Sequence, residues 1–81
     1  MQCRVKLFAR ARDLAGADEV SVALPDAATV ADLRRALASE YPSLAGLLER
    51  SALAVDNEFA DAAQLLPPDA EIALLPPVSG G

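Results

Sequence analysis

Residues 29–42 read TVADLRRALASEYP, and this stretch decides the fold because it carries both a helix start and a helix stop. Thr29, followed three residues later by Asp32, resembles a capping box with a shorter acid, in which side chains and backbone groups satisfy each other's hydrogen bonds. Pro42 ends the helix because it pushes the preceding residue out of helical geometry. The segment therefore predicts one amphipathic helix that lies across a sheet. Its apolar residues recur at helical spacing: Val30, Leu33, Leu37 and Tyr41.

Two strands are predicted before this helix. Residues 2–9 alternate between polar and apolar types, as a half-buried strand does, so that Phe8 points outward. Residues 11–15 predict a short helical turn that Gly16 closes. Residues 20–24 alternate again and predict a second strand, paired with the first as a hairpin. The side chains expected on the core side of the first strand are Cys3, Val5, Leu7 and Ala9.

Two further strands are predicted near the end of the chain. Residues 53–55 indicate a strand that turns at residues 56–58 towards Phe59, and residues 71–75 indicate the last strand. The helix supplies the crossover that parallel pairing of the first and last strands requires. We therefore predict an α+β protein with the β-grasp (ubiquitin-like) fold: a mixed sheet packed on one main helix, with an extended C-terminal tail.

The last residues are predicted to project from the domain. We assign residues 1–76 to the β-grasp domain and residues 77–81 to a flexible C-terminal Gly-Gly tail. Pro76 and Pro77 cannot donate to a sheet ladder and have a fixed φ, so the strand should end there and continue as a stiff lead. Glycine has no Cβ, which lets a narrow channel close around the main chain. We therefore expect function to depend on the carboxylate of Gly81.

Composition excludes several other kinds of function. The chain has 81 residues and a formal charge of −5 at pH 7, which argues against nucleic-acid binding. Its apolar runs fall far short of the about 20 residues that cross a bilayer, so we expect a cytoplasmic protein without membrane contact. The sequence has no histidine and a single cysteine, Cys3, so metal sites and Ser-His or Cys-His catalysis lack their usual parts. We expect no metal and no catalytic side chain.

Strand phase predicts an apolar patch at the root of the tail. If Ile72 and Leu74 face the helix, then Leu75 faces outward. Parallel pairing of the first and last strands would place Leu75 beside Phe8, at the end of the sheet from which the tail leaves. Two large apolar side chains beside a projecting terminus are typical of a docking surface. A register slip of one residue would bury both side chains instead, and this alternative stays open at the level of sequence.

Three segments resemble the small, sulfur-carrier subunits of molybdopterin synthase, a ubiquitin-related family. They lie at residues 7–16, 28–33 and 73–81, and read LFARARDLAG, ATVADL and ALLPPVSGG. The resemblance runs along essentially the whole chain, and its most specific part is the terminal PPVSGG. The departures from the family pattern lie in two local turns and leave the tail unchanged.

This resemblance implies a function for the tail. An adenylyltransferase of the ubiquitin-activating type would use Mg-ATP to convert Gly81 to an acyl-adenylate, and a sulfur donor protein would yield a thiocarboxylate. The large subunit of the synthase, in an expected heterotetramer, would catalyse sulfur transfer to cyclic pyranopterin monophosphate. The chain itself would bind no cofactor and would be a non-catalytic sulfur-donor subunit in molybdenum cofactor biosynthesis.

The resemblance also implies roles for individual residues. Phe8 and Leu75 would form the partner interface together with Arg12, which matches an arginine in the family's first connecting segment. A surface salt bridge is the alternative role for Arg12. The residues expected to carry Gly81 into the partner are Pro76, Pro77, Val78, Ser79 and Gly80.

Two other functions fit the same fold and the same Gly-Gly end. A sulfur carrier of thiazole synthesis in the thiamin pathway would use the same chemistry on Gly81, and only PPVS and the early FARAR segment favour the molybdopterin pathway. A ubiquitin-like modifier would instead join its activated Gly81 to lysines of target proteins.

Overall fold

The computed structural model describes residues 1–76. Its strands are β1 (Gln2–Leu7), β2 (Glu19–Ala23), β3 (Ala52–Val55), β4 (Glu58–Phe59) and β5 (Ile72–Leu75). Its helices are α1 (Ala9–Ala15), α2 (Val30–Glu40), a 3-10 turn (Pro42–Leu44) and α3 (Ala45–Leu48). Each predicted strand and the main helix are present, with bounds that differ from the prediction by one or two residues.

The strands form one mixed sheet in the order β2-β1-β5-β3-β4. The central pair, β1 and β5, is parallel, with Val5 opposite Ile72 and Leu7 opposite Leu74. The other neighbours pair antiparallel. This arrangement confirms the predicted β-grasp fold, in which the first and last strands of the chain lie side by side at the centre of the sheet.

Helix α2 begins with the predicted capping box. The backbone N–H of Asp32 donates to Thr29 Oγ1 at 3.3 Å, and the backbone N–H of Thr29 donates to Asp32 Oδ2 at 2.9 Å. Because these bonds hold the carboxylate in its charged form, with help from the nearby Arg35 guanidinium, the pKa of Asp32 lies below its ordinary value. The box satisfies backbone donors that the start of a helix would otherwise leave unpaired.

The remaining N–H donors of this first turn bond to residues 62–66, a segment before β5 that we call the strap. The backbone N–H of Val30 donates to the carbonyl of Gln64, and the N–H of Ala31 donates to the carbonyl of Ala62, both at 2.9 Å. The strap is anchored by Leu66, which is buried and donates its own N–H to the carbonyl of Ala28 at 2.9 Å. The strap therefore ties the start of α2 to the segment that leads into the last strand.

The core lies between the sheet and α2. Cys3, Val5 and Leu7 are buried on β1, as predicted. The prediction that Ala9 continues this buried row is wrong, because Ala9 is exposed and already begins α1 with a φ of 52°. The largest fully buried side chains are Leu33, Leu37, Leu44, Leu48, Leu53, Ile72, Leu74, Val5, Val22 and Val30.

The end of α1 and the turn between β3 and β4 lie where the sequence predicts them. Gly16 closes α1 in the left-handed conformation, with φ 72° and ψ 21°, and its N–H donates to the carbonyl of Arg12 at 2.9 Å. Asp56 and Asn57 join β3 to β4 and both have positive φ, at 51° and 69°. Two consecutive residues with positive φ are typical of the type I′ turn, whose twist matches that of a hairpin.

Candidate functional site

The last strand brings the chain to the predicted tail with alternate side chains on opposite faces of the sheet. Ile72 and Leu74 are buried, whereas Ala73 and Leu75 are partly exposed on the other face. This confirms the predicted strand phase and excludes the register slip that would have buried Leu75. The tail residues named above, Pro77, Val78, Ser79, Gly80 and Gly81, lie outside the described residues.

Phe8 lies at the same end of the sheet as Leu75. It follows β1 directly and is extended, with φ −127° and ψ 154°, and its carbonyl accepts the N–H of Ala11 at 3.1 Å as α1 begins. Its side chain is 46% exposed. Because Leu7 pairs with Leu74, the next residues along the two strands, Phe8 and Leu75, meet at one place on the outer face.

An open groove of about 510 Å³ has formed where these two side chains meet. We call it the exit groove because Pro76, the last described residue, is part of its wall. Its remaining walls are mostly apolar, and Arg50 is the one charged residue that the described part of the chain contributes. The residues lining the exit groove are Phe8, Ala9, Arg50, Ala52, Phe59, Leu75 and Pro76.

Phe59 also lines this groove, a placement that was not predicted from the sequence. It is 76% exposed, the highest exposure among the large apolar side chains of the described residues. Its register partner is Ala54, which in turn pairs with Ala73, so Phe59 shares the outer face with them. The alternation of side chains along the predicted hairpin could have indicated this placement. If Leu53 and Val55 point into the core, then Ala54 and the residue paired with it point outward.

Arg12, the third predicted interface residue, does not line the exit groove. It is exposed on α1, and its Nε lies 4.0 Å from Asp18 Oδ1, a distance at the limit of a salt bridge. It lines a second depression that also includes Phe8 but not Leu75. The structure thus brings Phe8 and Leu75 together and leaves Arg12 on the far side of Phe8.

The outer face of the sheet changes character across its width. The half formed by β1 and β2 exposes charged and polar side chains, among them Lys6, whose Nζ lies 3.1 Å from Glu71 Oε1. The half formed by β5, β3 and β4 exposes Ala73, Leu75 and Phe59. An exposed apolar area bounded by charged residues is typical of a protein-binding surface.

Side-chain chemistry within residues 1–76 is sparse. Cys3 is 6% exposed, and burial raises the pKa of its thiol, which keeps it in the poorly nucleophilic neutral form. In this described part of the chain, no cluster of three or more Cys, Asp or Glu side chains has the geometry to hold a metal ion. No helix between residues 1 and 76 is both long enough and apolar enough to cross a bilayer.

Comparison with known proteins places this geometry in a family. The model of the ThiS family matches residues 5–81. A molybdopterin synthase sulfur carrier subunit from Dictyostelium discoideum is 39% identical, over 99% of this chain and 96% of that protein.

Solved structures agree with the match in sequence. SAMP1 from Haloferax volcanii superposes with a TM-score of 0.87 at 30% identity, covering the whole of both chains. A chain in a complex of subunits 1 and 2 of the molybdopterin-converting factor from Helicobacter pylori superposes with a TM-score of 0.71 at 26% identity, again over both full lengths. A family match that runs from the first buried strand to the last residue, with the same fold in these relatives, shows that this chain belongs to the ThiS family.

Proposed function

We propose that this chain is the sulfur-carrier subunit of molybdopterin synthase, which donates sulfur from its C-terminus and has no catalytic activity alone. The observation that carries the proposal is the exit groove, whose apolar walls include Pro76 at the point where the chain passes into residues 77–81. A protein that covers this groove is in position to receive the tail. The relative from Dictyostelium discoideum, named as a sulfur carrier subunit of this synthase, supports the assignment.

The proposed chemistry takes place on the carboxylate of Gly81. A C-terminal carboxyl has a reference pKa of about 3.3 to 3.7, so it is ionised at neutral pH and is a poor electrophile. An adenylyltransferase partner joins it to the α-phosphate of Mg-ATP and releases pyrophosphate. A persulfide of a sulfur donor protein then displaces AMP, and a thiol of the donor cleaves the new S–S bond to leave the thiocarboxylate. The partner consumes ATP, to which Mg²⁺ is bound, and this chain binds neither as a cofactor.

The proposed main partner is the large subunit of the synthase, in a heterotetramer. Phe8, Phe59 and Leu75 offer it an apolar anchor surface, and aromatic residues, Phe among them, are enriched at the cores of protein interfaces. The Helicobacter pylori relative was solved as a complex of subunits 1 and 2, which supports a partner of this kind. The large subunit then supplies the catalytic groups for transfer to cyclic pyranopterin monophosphate, in the cytoplasm.

The proposal is tested by reconstitution. The purified chain bearing a C-terminal thiocarboxylate is mixed with the large subunit of the same organism and cyclic pyranopterin monophosphate, and the dithiolene product is measured. We expect product from the thiocarboxylate form and none from the same chain with an ordinary carboxylate. Absence of product from the thiocarboxylate form, with a large subunit shown to be active with the thiocarboxylated sulfur carrier of another species, would overturn the proposed function.

One observation favours a second candidate, a protein modifier. The Haloferax volcanii structure described above is of a protein named small archaeal modifier protein 1. Intact-mass measurement of the chain isolated from its native cells separates the two functions. A sulfur carrier shows oxygen replaced by sulfur at the terminus, whereas a modifier shows the chain covalently attached to other proteins.

A further inference from the structure

Among residues 1–76, Arg50 is the one charged residue that lines the exit groove, and its guanidinium has no salt bridge and no side-chain hydrogen bond to this part of the chain. It lies just before β3, and its backbone N–H donates to the carbonyl of Leu47 at 3.0 Å, which fixes the main chain at this point. The side chain is exposed. The backbone of Arg50 is thus fixed at the edge of the apolar surface, while its guanidinium N–H donors are exposed to solvent.

The charge of Arg50 contrasts with that of the rest of the protein. The chain carries a formal charge of −5, yet the described residues that line the exit groove carry a single positive charge. Arg4, on the same outer face, lies instead in a depression lined by acids that include Glu19 and Glu71. Among the described residues, the groove is thus lined by a positive charge without a carboxylate, whereas Arg4 shares its depression with carboxylates.

A partner that covers Phe8, Phe59 and Leu75 also removes water from Arg50. A guanidinium that loses water without gaining an acceptor costs free energy, so a stable interface must supply one. Carboxylates fit this role best because the planar guanidinium donates two parallel hydrogen bonds to a carboxylate. The groove thus indicates the chemistry of the surface that covers it.

We propose that Arg50 is a specificity-determining residue of the exit groove and pairs with an Asp or Glu carboxylate of the synthase large subunit. This inference rests on the proposed function and deepens it. Pro76 stands in the same groove, so the partner that binds Arg50 is also the one that meets residues 77–81. A partner surface with an apolar centre and a carboxylate at its edge would meet Phe8 and Arg50 at once.

The experiment measures the binding of the large subunit to three variants, Arg50→Lys, Arg50→Gln and Arg50→Glu, by calorimetry at low and at high salt. We expect Arg50→Gln to weaken binding about 10-fold and Arg50→Glu to weaken it further, since the reversed charge then repels the carboxylate. Arg50→Lys should fall between the native chain and Arg50→Gln because it keeps the charge and loses the planar fork. The loss on adding salt should be smaller for Arg50→Gln than for the native chain.

Arg4→Glu is the matched control, because it makes the same change of charge on the same outer face, away from the groove. We expect it to bind almost as tightly as the native chain, and thermal unfolding should show all variants to be folded. Equal losses for Arg4→Glu and Arg50→Glu, or native binding by Arg50→Glu, would overturn the role of Arg50 while leaving the proposed function intact. If the native chain itself does not bind the large subunit, the proposed function fails and the inference fails with it.

Discussion

Leu7 lies directly opposite Leu74 in the parallel pairing of the first and last strands. Both side chains are buried, so this pair fixes the register from the core side. The next residue on each strand, Phe8 or Leu75, must then lie on the outer face at the same end of the sheet. The core pair therefore determines that the apolar surface lies beside the end of β5, where the chain reaches Pro76.

Replacing Phe8 with alanine tests the exit groove as an interface. We expect Phe8→Ala to weaken binding of the large subunit by about 1 to 3 kcal/mol, as truncation of an aromatic anchor does, with a smaller effect on folding. Calorimetry measures the first quantity and urea unfolding the second. Leu65→Ala is the control, since Leu65 is 59% exposed and lies outside the groove. A greater loss of stability than of binding would show that Phe8 supports the fold instead.

Deleting Gly81 tests where the chemistry resides. We expect the shortened chain to form no thiocarboxylate when mixed with the activating enzyme, ATP and a sulfur donor, as read by intact mass. The thermal midpoint should barely change, because the buried core of the described residues ends at Leu74. A large fall in the midpoint would contradict the division into a domain and a tail, and sulfur uptake by the shortened chain would contradict the role of Gly81.

Removing the Thr29 hydroxyl tests the capping box of α2. We expect Thr29→Ala to lower the free energy of unfolding by about 0.5 to 2 kcal/mol, because the N–H of Asp32 loses its acceptor. Ser39→Ala, on the exposed part of the same helix, should change stability little. Urea unfolding of both variants provides the measurement, and equal losses would argue against a specific capping effect.

The capping box also makes stability depend on pH. The folded-state pKa of Asp32 is lowered, chiefly by its backbone hydrogen bond with Thr29. Its contribution is therefore complete above the unfolded-state pKa of about 3.9 and is lost as pH falls through the lower folded-state pKa. We expect Asp32→Asn to lose less stability than the native chain between about pH 5 and pH 2. Asp26→Asn, whose side chain makes no hydrogen bond within residues 1–76, serves as control; an unchanged pH profile for Asp32→Asn would refute the effect.

The thiol of Cys3 should be unreactive in the folded protein. Because the thiol is buried and its pKa is raised by burial, we expect an aromatic disulfide reagent to label it only after unfolding in urea. Cys3→Ala should still deliver sulfur in the reconstituted synthase. Rapid labelling of the native chain, or a folded Cys3→Ala variant without turnover, would show that the thiol takes part.

The sequence was sufficient for the fold wherever local signals agreed. Thr29, Asp32 and Pro42 mark α2 by capping and steric rules that act within one turn of helix, and the structure follows them. Ala9 was misassigned because strand alternation cannot show where a strand gives way to a helix, and the positive φ of Ala9 has no signature in its side chain. Boundaries of this kind depend on contacts with neighbouring helices and strands, and the hydrophobic periodicity of one segment carries no information about those contacts.

The candidate site could be predicted only in part, for a related reason. Phe8 and Leu75 were paired correctly because a parallel register links them through one sheet contact. Phe59 and Arg50 reach the same groove through β3 and β4, so their placement required the pairing of β3 with β5 and of β4 with β3. The role of Gly81 was carried by resemblance and stays a prediction.

Lys6, held near Glu71 on the charged half of the sheet, is the single lysine of this chain, and its other basic residues are arginines. Guanidinium groups stay protonated at physiological pH and do not attack acyl groups, whereas a free amine does. Under the proposed function, the activated C-terminal carboxyl group of one copy could thus react with only one side-chain amine of another copy. Self-acylation of a side chain, which would consume the activated carrier in dead-end dimers, is thus confined by composition to this one lysine.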